Sequence, residues 1–121
     1  MPNGLPVDKI SHDPEVVAAY KADPDVHDRL TARLFDFLVD AGKRAREDAP
    51  RLTVPTLGLV AGADSLVAAR GSREFFDRLP PGVGTLHWYD GLYHEIFNER
   101  EPDRTRVLAD LTAWLERQLS G

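Results

Sequence analysis

The run Leu52–Ala61 (LTVPTLGLVA), followed directly by Gly62-Ala63-Asp64, constrains this chain more than any other stretch. It carries no charged residue. Such continuity reads as a parallel strand covered on both faces, because a half-exposed strand alternates apolar and polar positions. Pro55 is tolerated near its beginning, where a strand residue can lack a ladder donor. A parallel partner needs a crossover, and the next segment provides one. Gly71–Leu79 reads as a helix with Phe75, Phe76 and Leu79 toward the sheet, ended by Pro80-Pro81-Gly82. Thr85–Tyr89 then has strand composition in Leu86, His87, Trp88 and Tyr89, and Asp90-Gly91 stops it with a turn. Strand, helix, strand makes a βαβ unit, so both strands point the same way and release their following loops at one edge. Neighbouring strands lie about 5 Å apart. Asp64 and His94, on those two loops, are then within reach of each other.

The upstream half is helical in character. Met1–Asp13 is broken by Pro2, Asn3-Gly4 and Pro6. Asp13-Pro14-Glu15 reads as a cap, a first-turn proline and a dipole-favoured acid opening a helix Glu15–Ala22. Asp23-Pro24 is expected to open a second helix by the same device, from about Val26 to Asp48. Leu30, Leu34, Phe37, Leu38 and Ala41 fall at the spacing of one buried face. A last helix, Asp103–Leu119, is expected to bury Val107, Leu108, Leu111, Trp114, Leu115 and Leu119. The expected fold class is thus α/β. Two parts are expected: residues 1–50, mainly helical, and residues 51–121, a βαβ unit with a closing helix.

Composition removes several function classes. The net charge of -5 and the lack of a long basic block argue against nucleic acid, which needs a concentrated basic face. With no cysteine, neither a disulfide framework nor a thiolate metal site can form. No apolar run approaches the ~20 residues that span a bilayer. The N-terminus lacks the pattern of a signal peptide, so the expected compartment is the cytoplasm. No cofactor motif is present, and none is expected.

The Asp64 and His94 pair is where chemistry is expected. Open α/β sheets place functional groups at the carboxyl ends of their strands. An acid that orients an imidazole is two-thirds of a nucleophilic triad, because it fixes the tautomer and stabilises the imidazolium. The competing reading is that His94, one of four histidines, simply caps a loop. A metal site on Asp64, His87 and His94 is a weaker alternative, since the spacing resembles no ligand motif.

These residues also resemble a known family. TVPTLGLVAGADSLV, LHWYDGLYHEIFNE and the closing AWLERQL are similar to the C-terminal part of α/β-hydrolases of the monoacylglycerol lipase and bacterial lysophospholipase family, grouped with serine aminopeptidase-like hydrolases. Upstream, LPVDKISHDPEVVAAYKADPDVHDRLTARLF resembles that family's exit from its lid domain. The resemblance covers almost the whole chain. It implies a partial α/β-hydrolase fold, with residues 1–50 as the lid exit and following helix and 51–121 as the C-terminal βαβα part of the core. It also implies Asp64 as triad acid, His94 as general base, and lipid or small-ester substrates. The family continues its GxDxLV phrase with Asp-Pro, where this chain has Ala68-Ala69.

One family feature is absent from these 121 residues. None of Ser11, Ser65, Ser72 and Ser120 lies in a Gly-x-Ser-x-Gly elbow, and no Gly-rich loop supplies oxyanion donors. Ser65 is a poor surrogate, because adjacent side chains on an extended loop diverge from each other. The expectation is a part of a serine ester hydrolase that is inactive alone and takes an ester or lysolipid only when completed. The alternatives are half of a split hydrolase completed by an N-terminal chain, or a non-catalytic module pairing through its sheet edge with a partner or another copy.

Overall fold

A computed structural model describes all 121 residues. Six regular elements follow in order: α1 (Pro14–Ala22), α2 (Ala32–Asp48), β1 (Thr56–Ala61), α3 (Ala69–Asp77), β2 (Gly84–Tyr89) and α4 (Asp103–Ser120). β1 and β2 pair in parallel, in a register that runs from Thr56 opposite Gly84 to Ala61 opposite Tyr89. The expected βαβ unit is therefore present. α3 covers one face of the sheet, where a Cβ on Gly58 would lie 2.5 Å from the Phe76 ring. Gly58 thus lets the helix sit directly on the strand. On the opposite face, Val107 of α4 is fully buried with Ala61, Tyr89, Leu92 and Ile96. Leu59 packs on the margin of that cluster. The Tyr89 hydroxyl donates to Asp110 Oδ2 at 2.7 Å and ties the end of β2 to α4.

Several sequence expectations need correction. β1 begins at Thr56 rather than Leu52. Residues 52–55 stay outside the ladder, Pro55 having no N–H to give it and Val54 remaining 63% exposed. α2 begins at Ala32 rather than Val26, because Thr31 caps it by accepting from the Leu34 N–H. Asp23-Pro24 opens no helix. Asp23 instead accepts from the Asp25 N–H and closes an isolated turn. Residues 28–30 meanwhile pair with the N-terminus, through Asn3 N–H to Asp28 O and Leu30 N–H to Met1 O. α3 lies two residues earlier than expected, ending at Asp77.

The burial expectations also fail for two helices. Of the α2 stripe, Leu34, Phe37 and Leu38 are exposed. Of the six α4 residues, only Val107 is buried, while Leu108, Leu115 and Leu119 are exposed. Both helices are amphipathic, but a two-stranded sheet provides too little area to cover them. No helix is long and apolar enough to cross a membrane.

Candidate functional site

The two loops leaving β1 and β2 meet at the carboxyl edge of the sheet. Pairing continues past the strands: Gly62 N–H donates to Tyr89 O at 2.8 Å and Ala63 N–H to Leu92 O at 3.1 Å. A Cβ on Gly62 would approach the Asp90 backbone at 2.8 Å, so glycine is needed where the loops lie closest. This prolonged ladder sets Asp64 against the loop that carries His94.

The His94 Nδ1–H donates to Asp64 Oδ2 at 2.8 Å. Asp64 Oδ1 accepts from the Leu66 N–H at 2.8 Å and the Val67 N–H at 3.0 Å. One oxygen anchors the carboxylate in its own turn and the other orients the imidazole. Burial raises the Asp64 pKa, but the hydrogen bonds from His94 and the two amides outweigh it, leaving the carboxyl below its ordinary value. An ionised carboxylate only accepts, which assigns the ring proton to Nδ1 and leaves Nε2 as the acceptor. The Asp64 side chain is 11% exposed and that of His94 39%, so the acid is screened while the ring faces solvent.

The other sequence candidates lie elsewhere. Ser65 is exposed in the turn after Asp64, and the His94 ring bonds Asp64 rather than Ser65. His87 points to α4, with its Nδ1 3.8 Å from Asp110, and does not join Asp64 and His94. No three His, Cys, Asp or Glu side chains are grouped so as to hold a metal ion.

A second carboxylate–imidazole pair, unforeseen from the sequence, adjoins the first. Glu99 Oε1 accepts from His12 Nδ1 at 2.9 Å, and the His12 ring stacks on Tyr93 with centroids 3.6 Å apart. The Glu99 side chain is 1% exposed and that of His12 30%. Burial raises the Glu99 pKa, yet the bonds from His12 and from the Tyr93 and His12 amides bring it below its ordinary value. Its only sequence signal was an acid five positions after His94. The partner is 87 residues away.

A family model described as "Serine aminopeptidase, S33" (Hydrolase_4) matches residues 1–101. The monoacylglycerol lipase of Mycolicibacterium smegmatis is 43% identical over 122 aligned positions, covering 96% of this chain and 43% of that protein. The monoglyceride lipase of Rattus norvegicus is 28% identical, over 92% of this chain and 37% of its own length. Among solved structures, the monoacylglycerol lipase of Paleococcus ferrophilus superposes with a TM-score of 0.86 at 36% identity, covering 95% of this chain and 44% of that one. A soluble variant of the Saccharomyces cerevisiae monoglyceride lipase, in complex with a substrate analog, gives a TM-score of 0.82 at 21% identity, over 97% and 43% of the two chains. The architecture is therefore part of an α/β-hydrolase fold. The chain spans less than half the length of these relatives.

Proposed function

The chain belongs to the Hydrolase_4 family of S33 serine aminopeptidase-like hydrolases, and on that basis we propose that Asp64 and His94 are the acid and base of an ester-hydrolysing triad. The observation that carries this reading is the 2.8 Å bond between His94 Nδ1 and Asp64 Oδ2, which leaves Nε2 as the other nitrogen of a 39% exposed ring. A hydroxyl nucleophile placed there would lose its proton to Nε2, and Asp64 would stabilise the resulting imidazolium. His94 would then return that proton to the leaving alkoxide. These 121 residues hold no Gly-x-Ser-x-Gly, so the nucleophile and the oxyanion donors would come from outside them. The substrate class is a fatty-acid monoester of glycerol, by analogy with the relatives named above. Residues 1–50 would act as the lid exit and residues 51–121 as the C-terminal part of the core.

Completion by further hydrolase sequence has its own structural support. Only 11 of 121 residues are buried. β1 pairs on one side alone, and a groove of about 1140 Å³ opens beside it, lined by residues including Phe35, Leu38, Leu57, Leu59, Val67 and Phe75. An unpaired parallel strand beside apolar side chains calls for another strand and its covering helix.

The test supplies the N-terminal part of the Mycolicibacterium smegmatis lipase, up to the point where this chain aligns, as a separate chain. The mixture should hydrolyse p-nitrophenyl esters and a monoacylglycerol. His94→Ala should reduce that rate by about 10³-fold or more. Alone, the chain should be no faster than its His94→Ala variant. Turnover by the chain alone that is lost in Ser65→Ala would overturn the proposal.

A further inference from the structure

The short segment Lys9–Asp13 grips the loop that carries His94 on both sides of that residue. On the preceding side, the Tyr93 N–H donates to Glu99 Oε1 at 2.9 Å, while the Tyr93 ring stacks on His12 and its hydroxyl accepts from Lys9 Nζ at 3.0 Å. On the following side, the Glu95 N–H donates to Ile10 O at 2.8 Å. The far end of the loop is held as well, because the Ser11 hydroxyl donates to Asn98 O at 2.8 Å. Glu99 is the hub. It also accepts from the His12 N–H at 3.2 Å and from His12 Nδ1, so three donors converge on one buried carboxylate.

A buried carboxylate is stable only while such donors surround it. The Glu99 contacts therefore hold as a set and fix the backbone of Tyr93 against His12. We infer that Glu99 and His12 are positioning residues for His94: they hold the Tyr93 amide and ring on its preceding side, and so keep the segment whose Ile10 carbonyl holds the Glu95 amide in place, so that the ring meets Asp64. The segment that holds the loop lies more than eighty residues upstream. Displacing it would loosen both amides at once and release the imidazole from its acid. This inference rests on His94 being the base, but its readout requires no turnover.

The test uses the 15N-labelled 121-residue chain. An imidazole N–H bonded to a carboxylate gives a downfield proton resonance, assigned to His94 by its loss in Asp64→Asn. In Glu99→Gln and His12→Ala that resonance should vanish, and the Tyr93 and Glu95 amides should exchange about tenfold faster or more, as expected on losing a charge-assisted hydrogen bond. His12→Asn, whose side-chain amide replaces the Nδ1 donor, should keep the resonance. A merely structural contact would not show this rescue. Retention of both the resonance and the protection in Glu99→Gln and His12→Ala overturns the inference. So does an unmodified chain without the resonance, or global unfolding of both variants, because a local clamp leaves the β1–β2 pair intact. Loss of activity in the complemented enzyme with the resonance intact would instead count against the role given to His94.

Discussion

Two carboxylate–imidazole pairs lie side by side at one sheet edge, and they differ in what surrounds them. Asp64 and His94 meet at 2.8 Å around a carboxylate that is 11% exposed, whereas Glu99 and His12 meet at 2.9 Å around one that is 1% exposed, and both rings reach solvent. The same chemical pair can therefore serve two purposes. Where the imidazole is accessible, an acid can tune it for proton transfer. Where the acid is sealed, the pair acts as a fastener, since an ion left unpartnered there would be costly. The deeper burial of its carboxylate sets the second pair apart.

Activity should break the comparison most sharply. In the complemented enzyme, Asp64→Asn should lower kcat by about 10²- to 10⁴-fold, through loss of tautomer control. Glu99→Gln should cost about tenfold, because the loosened ring still returns to an intact Asp64, too briefly to protect its N–H from exchange, and no reacting group is removed. Equal losses in steady-state kinetics would erase the distinction between tuning and fastening.

Stability should rank the pairs the other way round. His12→Ala leaves the Glu99 carboxylate buried with only backbone donors, at a cost of about 3 kcal/mol. His94→Ala leaves Asp64 with its two turn amides, at a cost of about 1 kcal/mol. Urea titration of both variants measures the order, and a reversed order would show that the sealed pair is not the fastener.

A smaller difference should appear in acid. Both carboxyls are held below their ordinary values, 3.8 for Asp64 and 4.5 for Glu99. Each binds its proton more readily in the unfolded chain than in the folded one. The stability they contribute is complete above those ordinary values and drains away as the pH falls through the lower folded ones. Asp64→Asn and Glu99→Gln should each flatten this acid limb, starting nearer pH 4.5 for Glu99. An unchanged limb in thermal melts at several pH values would mean that neither carboxyl is perturbed.

The least change is expected when the sheet edge is contrasted with α2, whose Leu34, Phe35, Phe37, Leu38 and Val39 lie exposed. In the chain alone, α2 amides should exchange before those of Gly62, Ala63 and Glu95. The chain should self-associate through its apolar surface, and the complementing half should raise its Tm. A monodisperse monomer by light scattering, with one cooperative melt and uniform protection, would oppose this view.

Local chemistry made much of the architecture legible. An uncharged run ending in Gly62-Ala63-Asp64, and an aromatic strand stopped by Asp90-Gly91, announced two strands and the edge where their loops emerge. The Asp64–His94 contact followed from topology alone, because parallel neighbours release their loops together. Burial was misjudged for α2 and α4, since periodicity reveals which face is apolar but not whether anything covers it. Position 31 outbid position 23 as the cap, because residues 28–30 had been taken by the N-terminus. The sequence by itself thus determined the two strands, their crossover and the meeting of Asp64 with His94, all of which belong to one βαβ unit and the two loops that leave it. Only the tertiary structure decided that Glu99 is sealed and that His12 is its partner. That choice was made by burial across 87 residues, and no local pattern encodes burial at such a distance.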